Sequence, residues 1–127
     1  MKAPFEKNEL TGEIVDAAMK VHSALGPGRL ESAYAVCLKH ELIKRGLKVA
    51  SEVPIPVVYD GIRLEAGYKL DLLVEDTVVL ELKAIEALAP IHQAQIISYL
   101  KLAGKPVGLL INFHSLRVKD GIKRFVV

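Results

Sequence analysis

The chain has 127 residues, 51% of them hydrophobic and 25% charged, which fits one folded domain over residues 1–127 and excludes extended disorder, collagen-like repeats and a second large core. Seventeen Lys and Arg against fifteen Asp and Glu leave a formal charge of +2, too small a surplus to announce a phosphate-binding surface, so any claim on nucleic acid must come from a site. No apolar run approaches the ~18 residues of a membrane span, Met1-Lys2-Ala3-Pro4-Phe5-Glu6-Lys7 has no apolar signal-peptide centre, and the lone Cys37 fits a reducing compartment; a cytoplasmic protein with no membrane partner is expected.

Residues 1–9 read as an N-terminal extension. From there Leu10, Ile14, Ala17, Ala18, Val21 and Leu25 recur at spacings of three and four and predict a helix with one apolar stripe, stopped by Gly26-Pro27-Gly28. A second helix is expected from Leu30 to Arg45, with Leu30, Ala33, Tyr34, Cys37, Leu38 and Leu42 on its inner side and Gly46 as its cap. Beyond Leu47 the pattern turns β-branched and is punctuated by Pro54 and Pro56. This predicts an edge-like strand through Val57-Val58-Tyr59, turned by Asp60-Gly61 into a short strand from Ile62 to Glu65. Tyr68 to Val74 and Val78 to Ala84 then alternate with the period of a strand, Tyr68, Leu70, Leu72, Val74, Val78, Leu80, Leu82 and Ala84 forming one face and Lys69, Asp71, Glu81 and Lys83 standing on the other. Pro90 opens a third helix to about Leu102, Gly104 ends it, and Val107 to Asn112 is a buried strand. The tail, Leu116 to Val127, reads as two short strands around Asp120-Gly121. The fold class is therefore α/β (α+β): a central mixed β-sheet flanked by helices, with a C-terminal β-hairpin.

The loop Glu75-Asp76-Thr77 decides which side chains meet. With these three residues in the turn, Val74 faces Val78 and Asp71 falls opposite Glu81, with Cβ atoms about 5 Å apart; a two-residue turn would put the two acids on opposite faces. Two carboxylates that close repel, so one pKa rises unless a cation offsets them, and their oxygens are of the kind Mg²⁺ prefers. Lys83 shares the face of Glu81, where an ammonium orients an attacking water or stabilises charge developing on a phosphate. The competing reading is a cross-strand salt-bridge ladder of Lys69, Asp71, Glu81 and Lys83 on a solvated face.

Asp71, a gap, then Glu81-Leu82-Lys83 resembles the acid-x(n)-Glu-x-Lys signature of the PD-(D/E)XK nuclease superfamily, with Leu70 where the superfamily name has Pro. Gly28-Arg29-Leu30-Glu31-Ser32-Ala33-Tyr34 resembles the motif that names the GxxExxY protein family, a small branch of that superfamily. Val21-His22, Tyr68 to Val74, Glu81 to Ala84, His92 with Gln95, Ser98 to Lys101, and Gly108 to Phe113 extend the likeness over about residues 10 to 125. The resemblance implies a PD-(D/E)XK restriction-endonuclease-like core in which Asp71, Glu81, the backbone carbonyl of Leu82 and the helical acid Glu31 hold Mg²⁺ or Mn²⁺. Glu31, Asp71, Glu81 and Lys83 are its implied catalytic set. Read without the resemblance, Glu31 is an acid in the first turn of a helix, where it meets the positive end of the dipole.

Gln95 and Tyr99 lie four apart on one helical face and resemble the Gln-x-x-x-Tyr element of many such nucleases, which implies that they position the substrate or Lys83; on their own they also fit a half-buried polar seam beside Ile96 and Leu100. His22 and His92 are expected to be satisfied structural groups and Glu86 a solvated loop acid. The expected function is a divalent-metal-dependent nuclease, a hydrolase of phosphodiester bonds in DNA or RNA. The alternative is a catalytically silent nuclease-like module that binds nucleic acid or serves as an accessory. Substrate selection would then fall to a partner, a homodimer groove, or the basic tail residues Arg117, Lys119, Lys123 and Arg124 through salt-sensitive backbone contacts.

Overall fold

A computed structural model describes residues 7–127. The expected N-terminal extension lies outside the described residues as far as residue 6, and Lys7 already begins helix α1, Lys7–Leu25. It is followed by α2 (Glu31–Lys44), β1 (Val49–Tyr59), β2 (Ile62–Val74), β3 (Val78–Lys83), α3 (Pro90–Ala103), β4 (Val107–Asn112), a 3₁₀ turn (Val118–Gly121) and β5 (Ile122–Val126). The five strands form one sheet in sequence order. All neighbours are antiparallel except β3 and β4, which run parallel because α3 carries the chain back between them. No helix among the described residues is long and apolar enough to cross a membrane.

Helices cover both faces. Leu10, Ile14, Ala17 and Ala18 of α1 and Tyr34, Leu38 and Leu42 of α2 pack on Leu72, Val74, Val78, Leu80, Leu82, Leu109 and Ile111. On the reverse face Ile96, Tyr99 and Leu100 of α3 pack on Ile55, Leu70, Leu73, Val79 and Leu110. Strand β4, enclosed from both sides, is buried at every position, which is why its sequence is a continuous apolar run instead of an alternating one. Gly108 lets α3 close on the sheet: a Cβ there would stand 2.9 Å from Cδ1 of Ile96 and 3.2 Å from Cδ1 of Leu100.

Several expectations are corrected. Strand β2 is continuous where two strands were expected, because its partner β1 runs long enough to pair from Val49↔Val74 to Tyr59↔Ile62, with one register shift between Ile55 and Val57. β1 tolerates Pro54 and Pro56 as the sheet's edge strand, and its turn places Asp60 and Gly61 at φ 48° and 77°, the left-handed pair of a type I′ turn. Leu30 is 76% exposed and precedes α2 without packing inward, and Cys37 is only half-buried. In the tail, Val118–Gly121 winds into a 3₁₀ turn, leaving one strand, β5, to pair with β4.

The segment joining α1 to α2 is pinned from inside. Gly28 takes φ 90°, the Tyr34 hydroxyl donates to the Gly26 carbonyl and accepts from the Arg29 N–H at 3.1 Å, and the Tyr34 ring stacks on Phe113 with centroids 4.4 Å apart. Tyr34→Phe keeps the stack and removes both bonds, so urea unfolding is expected to show a loss of about 1–2 kcal/mol; unchanged stability would mean that the loop is held by other contacts.

Candidate active site

The sheet opens at Asp71. Strands β2 and β3 pair at Val74↔Val78, Leu73↔Val79 and Leu72↔Leu80, the register the three-residue loop requires, and there the ladder ends. Carboxylates take over from the backbone beyond that point. The Asp71 N–H donates to Oε1 of Glu81 at 3.3 Å, and the Leu82 N–H donates to Oδ2 of Asp71 at 2.8 Å. On the other side, β1 and β2 pair at Ser51↔Leu72 and Val53↔Leu70 with no pair between Glu52 and Asp71, and Glu52 sits at φ 50°. A non-glycine residue held there costs energy that the surrounding structure must offset, and such residues cluster at functional sites. The same break corrects the expected alternation: Leu72 and Val74 face α1 and α2, whereas Leu70 joins the α3 cluster.

The two acids are therefore partnered by backbone amides and by each other. Glu81 is 5% exposed, and burial first, then the Asp71 charge, pushes its carboxyl up to about 8. No ion pair joins Lys69, Asp71, Glu81 and Lys83 among the described residues. Nor do the four share one solvated face: Glu81 is buried and Asp71 and Lys83 are half-buried, whereas Lys69 is exposed and, one residue before Leu70, points away from the α3 cluster. Both observations count against the salt-bridge ladder.

Around the pair stand the other sequence-predicted residues. Glu31 opens α2, and its carboxyl is pushed up by burial, with the Asp71 charge adding and Lys83 opposing, so both groups lie within electrostatic reach of it. Among the described residues no three His, Cys, Asp or Glu side chains gather closely enough to hold a metal ion, and Glu31 does not complete such a group. Gln95 Nε2 donates to the Tyr99 hydroxyl at 3.0 Å. Burial first, then the Glu81 charge, pushes the Tyr99 hydroxyl up, which places it beside the acids. Two cavities flank the site. One of about 950 Å³ reaches Glu31, Asp71 and Leu82 from the α2 side, and one of about 650 Å³ reaches Lys83, Gln95 and Tyr99 from the α3 side.

Both histidines quoted above have structural bonds. Nε2 of buried His22 meets the Ser115 carbonyl at 2.8 Å, and Nδ1 of His92 accepts the Ala89 N–H at 2.9 Å at the start of α3. Glu86 is exposed. Asn112 was missed as a supporting residue. Buried at the end of β4 and paired with Lys83, it accepts from the Ile85 N–H at 3.2 Å and donates to the Ile85 carbonyl at 2.9 Å, fixing the chain as it leaves Lys83. A polar residue closing an otherwise apolar run was its signal. Ile122 pairs with Ile111, so the exposed Lys119 and Lys123 lie toward the end of the sheet that carries Lys83.

The profile of the PD-(D/E)XK nuclease superfamily matches residues 8–125. The chain belongs to the PD-(D/E)XK nuclease superfamily. No curated protein and no solved structure matches it. A mixed sheet flanked by three helices is the architecture of a PD-(D/E)XK domain, and membership supports a hydrolase acting on nucleic acid. PD-(D/E)XK nucleases generally use divalent metals, and the donor set present here fits one: two facing carboxylates, one pushed up to about 8 by burial first and then by the other's charge, are groups that a hard cation would let ionise together.

Proposed function

We propose that the protein is a divalent-metal-dependent nuclease of the GxxExxY branch, hydrolysing phosphodiester bonds of DNA or RNA with Mg²⁺ or Mn²⁺, and that residues 7–127 act as one domain. The observation that carries this reading is the pairing of half-buried Asp71 with buried Glu81 at the point where the β2–β3 ladder opens, with Lys83 beyond it on the same strand as Glu81.

Asp71 and Glu81 would hold the cation. The Leu82 carbonyl is suited to join them, because the Leu82 N–H is directed at Asp71 and the N–H and C=O of one strand residue point to the same edge. When bound, the cation supplies Lewis-acid stabilisation of charge on the phosphate. Lys83 orients the attacking water and meets charge developing on the transferred phosphoryl oxygens. The Gln95–Tyr99 bond holds the phenol beside Glu81, where both side chains position substrate or Lys83. Glu31 lines the α2-side cavity within electrostatic reach of Asp71 and Lys83, where its carboxyl can meet groups bound at the pair.

Calorimetric titration with Mg²⁺ and Mn²⁺ at pH 7.5 tests the metal assignment. The wild type is expected to bind, and Asp71→Asn or Glu81→Gln to weaken binding about tenfold or more. Equal affinity in both variants would remove these acids from the site.

A further inference from the structure

The α3-side cavity has a composition that the chemistry above leaves unexplained. Besides Lys83, Gln95 and Tyr99 its walls include Val57, Tyr68 and Ile91. Tyr68 stands on β2 three residues before Asp71 and tilts against Tyr99, with ring centroids 5.9 Å apart and planes at 50°. It is nonetheless 45% exposed, and Ile91, on the same lining, is 70% exposed. Large apolar and aromatic surfaces left open beside a charged centre call for an occupant with an apolar face of its own.

Resting on the nuclease reading, we infer that this cavity is the base-binding subsite next to the scissile phosphate, that Tyr68 is its stacking residue, and that the substrate is an unpaired strand. Tyr68, Ile91 and Val57 suit the flat face of a nucleobase, while Lys83 on the same lining suits its phosphate. A base still paired and stacked in a duplex cannot turn its face toward Tyr68 without first leaving the stack, which costs a few kcal/mol. Duplex recognition rests instead on many cations spread along phosphates, and among the described residues these walls hold only Lys83 and His92 as basic groups. Tyr68 acts by positioning: its phenol need not react, so a ring with no hydroxyl serves equally.

Fluorescence anisotropy tests this with 5′-labelled 12-nucleotide single strands of DNA and RNA and the corresponding DNA duplex, in EDTA so that nothing is cut. Single strands of at least one sugar type are expected to bind about tenfold or more tighter than the duplex. Tyr68→Ala is expected to weaken single-strand binding about tenfold or more and leave the weak duplex binding unchanged, and Tyr68→Phe to retain wild-type affinity. Thermal melting of both variants checks the fold. Wild-type affinity in a folded Tyr68→Ala, duplex bound as tightly as single strand, or no binding of any nucleic acid would each overturn the inference. The nuclease reading is tested separately by turnover: cleavage of single strand and duplex alike, unaffected by Tyr68→Ala, keeps the nuclease and removes the subsite. Binding through Tyr68 without cleavage under Mg²⁺ or Mn²⁺ keeps the subsite and removes the chemistry.

Discussion

Lys83→Ala is expected to lower metal-dependent cleavage by about a hundred- to ten-thousandfold while leaving the melting temperature and Mg²⁺ affinity near wild type. The asymmetry follows from where the side chain stands. Lys83 is half-buried at the last position of β3, its backbone carbonyl accepts the Phe113 N–H at 2.8 Å, and its ammonium makes no ion pair among the described residues. Truncation therefore spares the backbone bond and breaks no packing of the kind that Leu82 supplies from the other face. Lys83→Arg would keep the charge but replace a compact ammonium by a planar fork, so partial activity is expected there. Wild-type rates for Lys83→Ala would remove the residue from the reaction.

The second large effect is a pH dependence. Glu81 is pushed from 4.5 up to about 8 by burial and by Asp71, so the folded protein holds that proton more tightly than the unfolded chain does. Its contribution to stability is then fully present below pH 4.5 and is lost as pH rises toward 8, amounting to a few kcal/mol across that window. In EDTA, urea unfolding is expected to show the wild type losing stability from pH 5 to pH 8. Glu81→Gln, which keeps an oxygen to accept the Asp71 N–H, is expected to lose less and to be the more stable of the two at pH 8. Saturating Mg²⁺ at pH 8 should restore the wild type and do little for Glu81→Gln. Parallel pH profiles for the two proteins in EDTA would contradict the assignment of the raised carboxyl.

Much of this site was legible from the spacing alone. Three loop residues at 75–77 and alternating strands forced Val74 onto Val78, and that register brings Asp71 to Glu81. Gln95 and Tyr99, four apart on α3, meet as a helix requires. The opening of the sheet was not legible. It depends on Glu52 taking φ 50°, a conformation that no residue type at that position announces, and on carboxylates replacing ladder bonds past Leu72. Strict alternation therefore misplaced Leu70, which turns to the α3 side. Charged residues at 69, 71, 81 and 83 also suggested a solvated face, whereas Leu73, Val79 and Leu110 recruit α3 to cover the side that carries Glu81 and Lys83, and Lys69 alone of the four is exposed. Leu30 was drawn inward by periodicity, although the helix begins one residue later and leaves it outside.

Cleavage of labelled single-stranded and duplex DNA and RNA with Mg²⁺ or Mn²⁺, run beside EDTA and Glu81→Ala controls, tests the assignment of the Asp71–Glu81 pair most directly. Cleavage of at least one substrate by the wild type, abolished by EDTA and by Glu81→Ala, is the predicted result. Cleavage that survives either control, or none on any substrate with either metal, would contradict a metal-dependent nuclease centred on Asp71 and Glu81.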